Sequence, residues 1–343
     1  MSLERSISRS WYAKVGWTWC LAPLLMVTAP IVKRKRRQFL AQRKQLSYQS
    51  RLPVVVVGNI TVGGTGKSPM VIALANLLKQ QGYRPGIVTR GHKRDSNQAI
   101  LVAEHSAASE VGDEPLMLQR RTGCPVAVSA KRADAVQTLE TLPDVDIIIS
   151  DDGLQHYAMD RDLEVVMVDA ERGLGNHMLL PVGPLREPAQ RLDEADFVFA
   201  IGKPAPVMTR TPSYHGALHL ANILHIASAK QSLPLAALAQ RAWLVVAGIG
   251  NPKRFVSTLQ DQGLPATADT RFFADHHAYQ RSDLDSSCSI LMTEKDAVKV
   301  ESFAKPTDDW WYVAAELELP EEFVRAFMAR LKDVIQQKTQ KHE

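Results

Sequence analysis

Cysteine is nearly missing from this chain. Cys20, Cys124 and Cys288 are the only three in 343 residues, far apart and in no metal-ligand spacing. Such a set builds neither a disulfide framework nor a zinc site, and it fits a reducing compartment. Acid is almost absent from the first 51 residues, which hold eleven Lys or Arg and only Glu4 against them. That stretch carries +10 of a whole-chain net charge of +4, so the remainder stands at −6. Internal repeats are lacking as well, which excludes solenoids and propellers. What remains is ordinary for globular cores: 45% hydrophobic and 23% charged residues, in a chain long enough for two domains.

The basic stretch has its own logic. An apolar run from Val15 to Val32 is followed at once by Lys33, Arg34, Lys35, Arg36 and Arg37. Its 18 residues lie at the lower edge of what crosses a bilayer. Pro23 and Pro30 interrupt a regular helix, and Trp11, Tyr12, Trp17 and Trp19 cluster at its start. Indole and phenol rings favour the membrane–water boundary, and Lys/Arg beside an apolar segment favours anionic headgroups. A cleaved signal peptide would carry its basic cluster first and a small-residue cleavage site after. An arm for nucleic acid would not need Leu, Met and Ile. The expectation is a membrane-associating segment over residues 1–45, interfacial or inserted, with no nucleic acid and no obligate protein partner.

Beyond Arg51 the pattern alternates. Apolar runs at Val54–Val57, Gly86–Thr89, Ile100–Ala103, Pro125–Ser129, Asp146–Ser150, Glu164–Asp169 and Phe197–Ile201 read as strands. Helix patterns at Pro69–Gln81, Asp113–Arg121 and Lys131–Thr141 separate several of them. Continuous Val/Ile runs predict strands buried on both faces, hence a mainly parallel sheet flanked by helices. A second alternation runs from Trp243 through Cys288–Thr293 and Trp310–Leu317 to a final helix near Pro320–Gln337. The expected division is a core domain over 46–235 and a smaller α/β domain over 236–343, with a cleft between them.

The stretch VVVVGNITVGGTGKSP, Val54 to Pro69, reads as a strand entering a phosphate-binding loop. The loop spans Thr61, Val62, Gly63, Gly64, Thr65, Gly66, Lys67 and Ser68. Residues without Cβ let backbone N–H groups approach phosphate oxygens, Lys67 reaches the outer phosphates, and Ser68 offers a hydroxyl to Mg²⁺. Thr61 stands where the usual G-x-x-x-x-G-K-[ST] pattern begins with Gly. Metal-side carboxylates belong at a neighbouring strand end, and Asp151 and Asp152 follow Ile147–Ser150 there.

Four more groups carry chemistry without being decisive by spacing. Asp113 and Glu114 precede an apolar helix, where Asp113 also suits a cap. Asp275, His276 and His277 fall in a loop. Arg186, Glu187 and Arg191 have the look of surface pairing. Glu294, Lys295 and Asp296 open a helix, where charge is common.

Taken in order, PVVVVGNITVGGTGKSP, VTRG, GDEP, PVAVS, SDDGLQH, LPVGPLRE, VAGIGNPKRF, ADHH and MTEKDAVK resemble the tetraacyldisaccharide 4′-kinases of lipid A synthesis. The resemblance implies a P-loop NTPase-like larger domain and a smaller second one. It also implies ATP and Mg²⁺ as cofactors, and a lipid substrate met at the cytoplasmic face of the inner membrane. The reaction implied is transfer to the 4′-hydroxyl of tetraacyldisaccharide 1-phosphate, giving lipid IVA. By motif, Lys67 and Ser68 serve ATP and Mg²⁺, Asp113 is the candidate base and His276 its partner, in preference to His277. Glu114, Asp151 and Asp152 complete the metal side, and Arg186 contacts substrate or phosphate. Two other classes remain open on the residues alone: a membrane-associated NTPase acting as a switch or assembly factor, and a nucleotide-holding regulatory module.

Overall fold

A computed structural model describes residues 3–13, 15–91, 98–103, 105–202 and 209–342. The N-terminal arm comprises α1 (Leu3–Trp11), a 3-10 stretch at Trp17–Leu24 and α2 (Leu25–Leu46), which contains Pro30 and breaks helical geometry at Gln42. There follow β1 (Val54–Gly58), α3 (Lys67–Gln80), β2 (Pro85–Thr89), β3 (Ile100–Leu101), α4 (Ala108–Val111) and α5 (Asp113–Thr122). Next come β4 (Val126–Val128), α6 (Arg132–Glu140), β5 (Ile147–Asp151), β6 (Leu163–Asp169), β7 (Phe197–Ile201) and β8 (Ser213–Gly216). These eight strands form one sheet in the order β3-β4-β2-β5-β1-β6-β7-β8, parallel throughout except where β3 meets β4.

β1 lies at the centre of this sheet, between β5 and β6, and every residue of Val54–Gly58 is buried. A strand covered on both faces has no polar side to show, which is why Val54–Val57 are four valines in a row. The expected strand at Ile100–Ala103 shrinks to Ile100–Leu101, a short antiparallel edge.

The second sheet takes β9 (Leu218–His225), β10 (Ser228–Leu233), β11 (Trp243–Ala247), β12 (Asp269–Phe272), β13 (Ser289–Thr293) and β14 (Trp310–Leu317). Its order is β10-β9-β14-β13-β11-β12, with the last four strands parallel and β9 and β10 antiparallel. The helices between them are α7 (Ala237–Gln240), α8 (Pro252–Asp261) and α9 (Glu294–Val300); α10 (Glu321–His342) follows.

Packing does not follow the expected split at 235/236. The second sheet already begins at Leu218, with Ala217 alone between it and the end of β8. α10 returns to the first sheet, where Phe323, Phe327 and Leu331 are fully buried in the same core as Phe197 and Phe199. The Phe199 and Phe323 rings meet edge-on at 5.0 Å, and Phe197 and Phe323 at 5.6 Å. The aromatic outer face of β7 and β8 needs a cover, and α10 supplies it.

The arm is docked on the larger body. Thr18 donates to the Val182 carbonyl at 2.9 Å and the Trp11 indole to the Pro181 carbonyl at 3.0 Å. Farther along, buried Phe39 stacks on Tyr157 with ring centroids 4.7 Å apart, and Arg36 pairs with Glu194 at 2.6 Å. Val15, Met26, Val27 and Ile31 stay exposed, as do Lys33, Arg34, Lys35 and Arg37. No helix among the described residues is long and apolar enough to cross a membrane.

Candidate active site

The site is built at the carboxyl ends of β1 and β5, where open α/β sheets place their ligands. After β1 the chain bends at Ile60, and Thr61 bridges Leu185. Val62 N–H donates to the Pro184 carbonyl at 2.8 Å, and Arg186 N–H to the Ile60 carbonyl at 2.7 Å. Positive φ begins only at Gly63 (110°) and recurs at Gly66 (81°), so a Cβ at Thr61 costs nothing in backbone strain. Gly66 is the demanding position: a Cβ there would lie 2.4 Å from Ile201 Cδ1. Its left-handed turn starts α3 at Lys67, two residues before the expected Pro69, and puts Lys67 and Ser68 in the helix's first turn.

Lys67 Nζ reaches Asn59 Oδ1 at 3.4 Å and Asp152 Oδ1 at 3.7 Å. Asp152 also meets Arg186 Nη1 at 3.3 Å. Burial would raise the Asp152 carboxyl, but Lys67 and Arg186 outweigh it and pull it down. Asp151 behaves oppositely. Its side chain is buried and its Oδ1 has no hydrogen-bond partner among the described residues. Burial pushes its carboxyl up, Glu114 and Asp152 add to that, and Lys67 opposes them. An orphaned carboxylate oxygen among like charges fits a divalent cation. No group of three or more His, Cys, Asp or Glu forms a ready-made cage among the described residues. Mg²⁺ does not require one, since it binds through one or two carboxylates together with substrate phosphates.

The facing wall is assembled from distant segments. Asp113 opens α5 behind Gly112 and is 7% exposed. Its Oδ1 accepts from Glu114 N–H at 2.9 Å, and its Oδ2 lies 3.0 Å from His276 Nδ1, 163 residues away. His276 sits with φ +58° in the loop after β12. Lys295, in the first turn of α9, lies 3.0 Å from Glu114, 3.3 Å from Asp275 and 3.4 Å from His276 Nε2. Burial would raise Asp113, yet the His276 hydrogen bond and the Lys295 charge hold it down at about 2. A Cβ on Gly250, after β11, would stand 3.7 Å from the Gly64 nitrogen, so the second sheet also borders the phosphate loop.

Of the residues singled out by sequence, Lys67, Asp151, Asp152 and Arg186 converge on one wall, and Asp113, Glu114 and His276 on the other. Arg186 reaches the acids through Asp152, and Glu114 is engaged by Lys295 while its charge still acts on Asp151. His277 turns away, bonding Asp283 at 3.0 Å and stacking on Phe273 at 4.3 Å. Glu187 and Arg191 are not a surface pair: both are 2% exposed. Glu187 accepts from Tyr157 and Gln155, each at 2.8 Å, and Gln155 donates to the Asn59 carbonyl at 3.1 Å. Nor is Asp296 an ordinary helix-end charge, since it is fully buried and accepts from Gly248 N–H at 3.0 Å. Sequence reasoning did not assign site roles to Asn59, Gln155, Gly250 or Lys295. All four stand inside the motifs quoted above, which is the signal that could have found them.

A central parallel strand entering a glycine loop, lysine and helix, with two acids ending the next strand, defines a P-loop nucleotide-binding protein. A family model described as tetraacyldisaccharide-1-P 4′-kinase, LpxK, matches residues 17–332. The tetraacyldisaccharide 4′-kinase of Aeromonas hydrophila subsp. hydrophila is 42% identical over 337 residues, 95% of this chain and 96% of that protein. Its counterpart from Shewanella frigidimarina is 43% identical over 339 residues, 98% of each. A crystal structure of LpxK from Aquifex aeolicus in complex with ATP matches with a TM-score of 0.76 at 26% identity, covering 91% of this chain and 99% of that one. The chain belongs to the tetraacyldisaccharide 4′-kinase family and is a kinase.

Proposed function

We propose that this chain transfers the γ-phosphoryl group of ATP to the 4′-hydroxyl of tetraacyldisaccharide 1-phosphate, yielding lipid IVA in lipid A biosynthesis. The observation that carries the mechanism is the Asp113–His276 contact at 3.0 Å, which sets a carboxylate opposite the phosphate loop. The sugar oxygen attacks the γ-phosphorus in line as the bond to ADP breaks, and Asp113 accepts the hydroxyl proton. His276 orients that carboxylate. Lys67 and the N–H groups from Gly63 to Ser68 neutralise charge on the transferring group. Residues that would hold Mg²⁺ are Ser68, Asp151 and Asp152, and the ion supplies charge neutralisation of phosphate oxygens.

A carboxyl held at about 2 is a weak base at neutral pH. Bound ATP would bring several negative charges to the Lys67 side of the cleft, and negative charge added near Asp113 raises its basicity. Base strength then rises only when the donor is in place. We infer three working units: the arm, 1–45; the core that binds nucleotide; and the smaller sheet that brings His276. Closure between the last two would exclude water and limit idle hydrolysis.

The arm takes the enzyme to its substrate, a lipid whose chains resist leaving a bilayer at about 0.8 kcal/mol per CH₂. Its exposed apolar side chains and Lys33–Arg37 suit a peripheral position on the cytoplasmic face of the inner membrane. Incubating the protein with γ-³²P-labelled ATP and purified disaccharide lipid tests the reading. Label in the lipid is expected. Free phosphate alone would point to a switch-type NTPase, and neither product to a regulatory nucleotide binder.

A further inference from the structure

We propose that Lys295 is a positioning residue for phosphoryl transfer: it holds the His276 imidazole with its proton on Nδ1, where that proton bonds Asp113. The inference deepens the proposed mechanism and rests on it. An ammonium has hydrogen-bond donors and no acceptor. Its contact with His276 Nε2 at 3.4 Å therefore makes Nε2 the lone-pair nitrogen. The tautomer with Nε2 unprotonated carries its hydrogen on Nδ1, and Nδ1 is the atom 3.0 Å from Asp113 Oδ2. A carboxylate can only accept, so the two contacts demand the same tautomer from opposite sides of the ring.

Lys295 is well placed to impose this. Its side chain is 17% exposed and is pinned by Glu114 at 3.0 Å and Asp275 at 3.3 Å, one acid from the first turn of α5 and one from the loop after β12. Its helix is anchored beneath it. Thr293 Oγ1 accepts from Asp296 N–H at 3.2 Å and donates to the Asp296 carboxylate at 2.8 Å. That buried carboxylate also takes the Gly248 N–H. α9 packs on α5, the helix that Asp113 opens, and Arg121 joins the two through Glu294 at 3.2 Å. One lysine thus ties α5 to the loop that carries His276, at the level of Asp113. Removing it leaves Asp275 Oδ1, 3.9 Å away, as the acceptor facing Nε2, so that nitrogen can take a proton and the ring is no longer held to one tautomer against Asp113.

The test is long-range ¹H–¹⁵N correlation of imidazole-labelled full-length protein, with His276 assigned by the difference from His276→Gln, together with transfer kinetics. In the wild type Nδ1 is expected to be protonated and Nε2 bare. In Lys295→Met, Nε2 should become protonated wholly or in part. The kcat should fall by up to about 100-fold, the scale of a slightly misplaced catalytic group, while KM for ATP stays within about twofold. Lys295→Arg, which keeps a donor, should restore the wild-type tautomer and part of kcat. An Nε2 that stays unprotonated in Lys295→Met, or a loss confined to KM, overturns the proposal. If Lys295→Met does not fold, Lys295→Leu, which likewise has no donor, takes its place with the same expectation at Nε2. Were the wild type to transfer nothing to lipid, the functional reading would fall, while the tautomer measurement would still decide what Lys295 does to His276.

Discussion

The two walls of the cleft are made in opposite ways. The phosphate wall is local: Asn59, the loop and Lys67 lie within nine residues, and Asp151 joins them through the β1–β5 pairing, Val57 opposite Asp151. Its geometry is backbone geometry, held by hydrogen bonds and buried strands. The acceptor wall is long-range, bringing together Asp113, His276 and Lys295 from two sheets through side-chain contacts. A wall fixed by strands stays in place when the sheets part. A wall fixed by ion pairs exists only while they are together, so the proposed base, Asp113, would be oriented by His276 only in the apposed state.

This contrast can be broken experimentally. The largest effect is expected on the phosphate wall: Lys67→Ala should lower kcat/KM by on the order of 10³-fold, read in the lipid transfer assay. Next, Asp113→Ala should reduce turnover at least about 100-fold and leave ATP affinity, measured by equilibrium binding, largely intact. Near-normal turnover would remove Asp113 from its role, and a parallel loss of ATP binding would mean that the walls are not separable. Smallest, Lys35→Gln touches neither wall and should weaken binding to anionic vesicles by about 1 kcal/mol, with turnover on detergent-dispersed substrate unchanged. A turnover loss in detergent would show that the arm also shapes the cleft.

What could be read in advance follows the same line. Valine runs fixed β1 and its neighbours because full burial leaves a one-dimensional signature. The phosphate loop was legible despite Thr61, since that residue is bridged to Leu185 and the glycine requirement begins at Gly63. Glu187 and Arg191 looked like surface charge because sequence does not show what covers them. They prove to be the buried support of Gln155 and hence of Asn59. His276 could be named only by resemblance. Its partnership with Lys295 needed two sheets to meet, which no local pattern encodes. The same limit applies to α10, whose amphipathic face does not say which sheet it will cover.

The return of α10 bears on how the chain is made. Glu318 N–H donates to the Ala217 carbonyl at 3.1 Å, so the entry to and exit from the second sheet lie side by side. All of that sheet is synthesised before Phe323, Phe327 and Leu331 can seal the first. A nascent chain emerging at about 5–20 residues per second therefore holds an aromatic face of β7 and β8 uncovered while the whole second sheet is translated. The first sheet to be made is the later one to be finished, and for those seconds its open face is where a chaperone has most to protect.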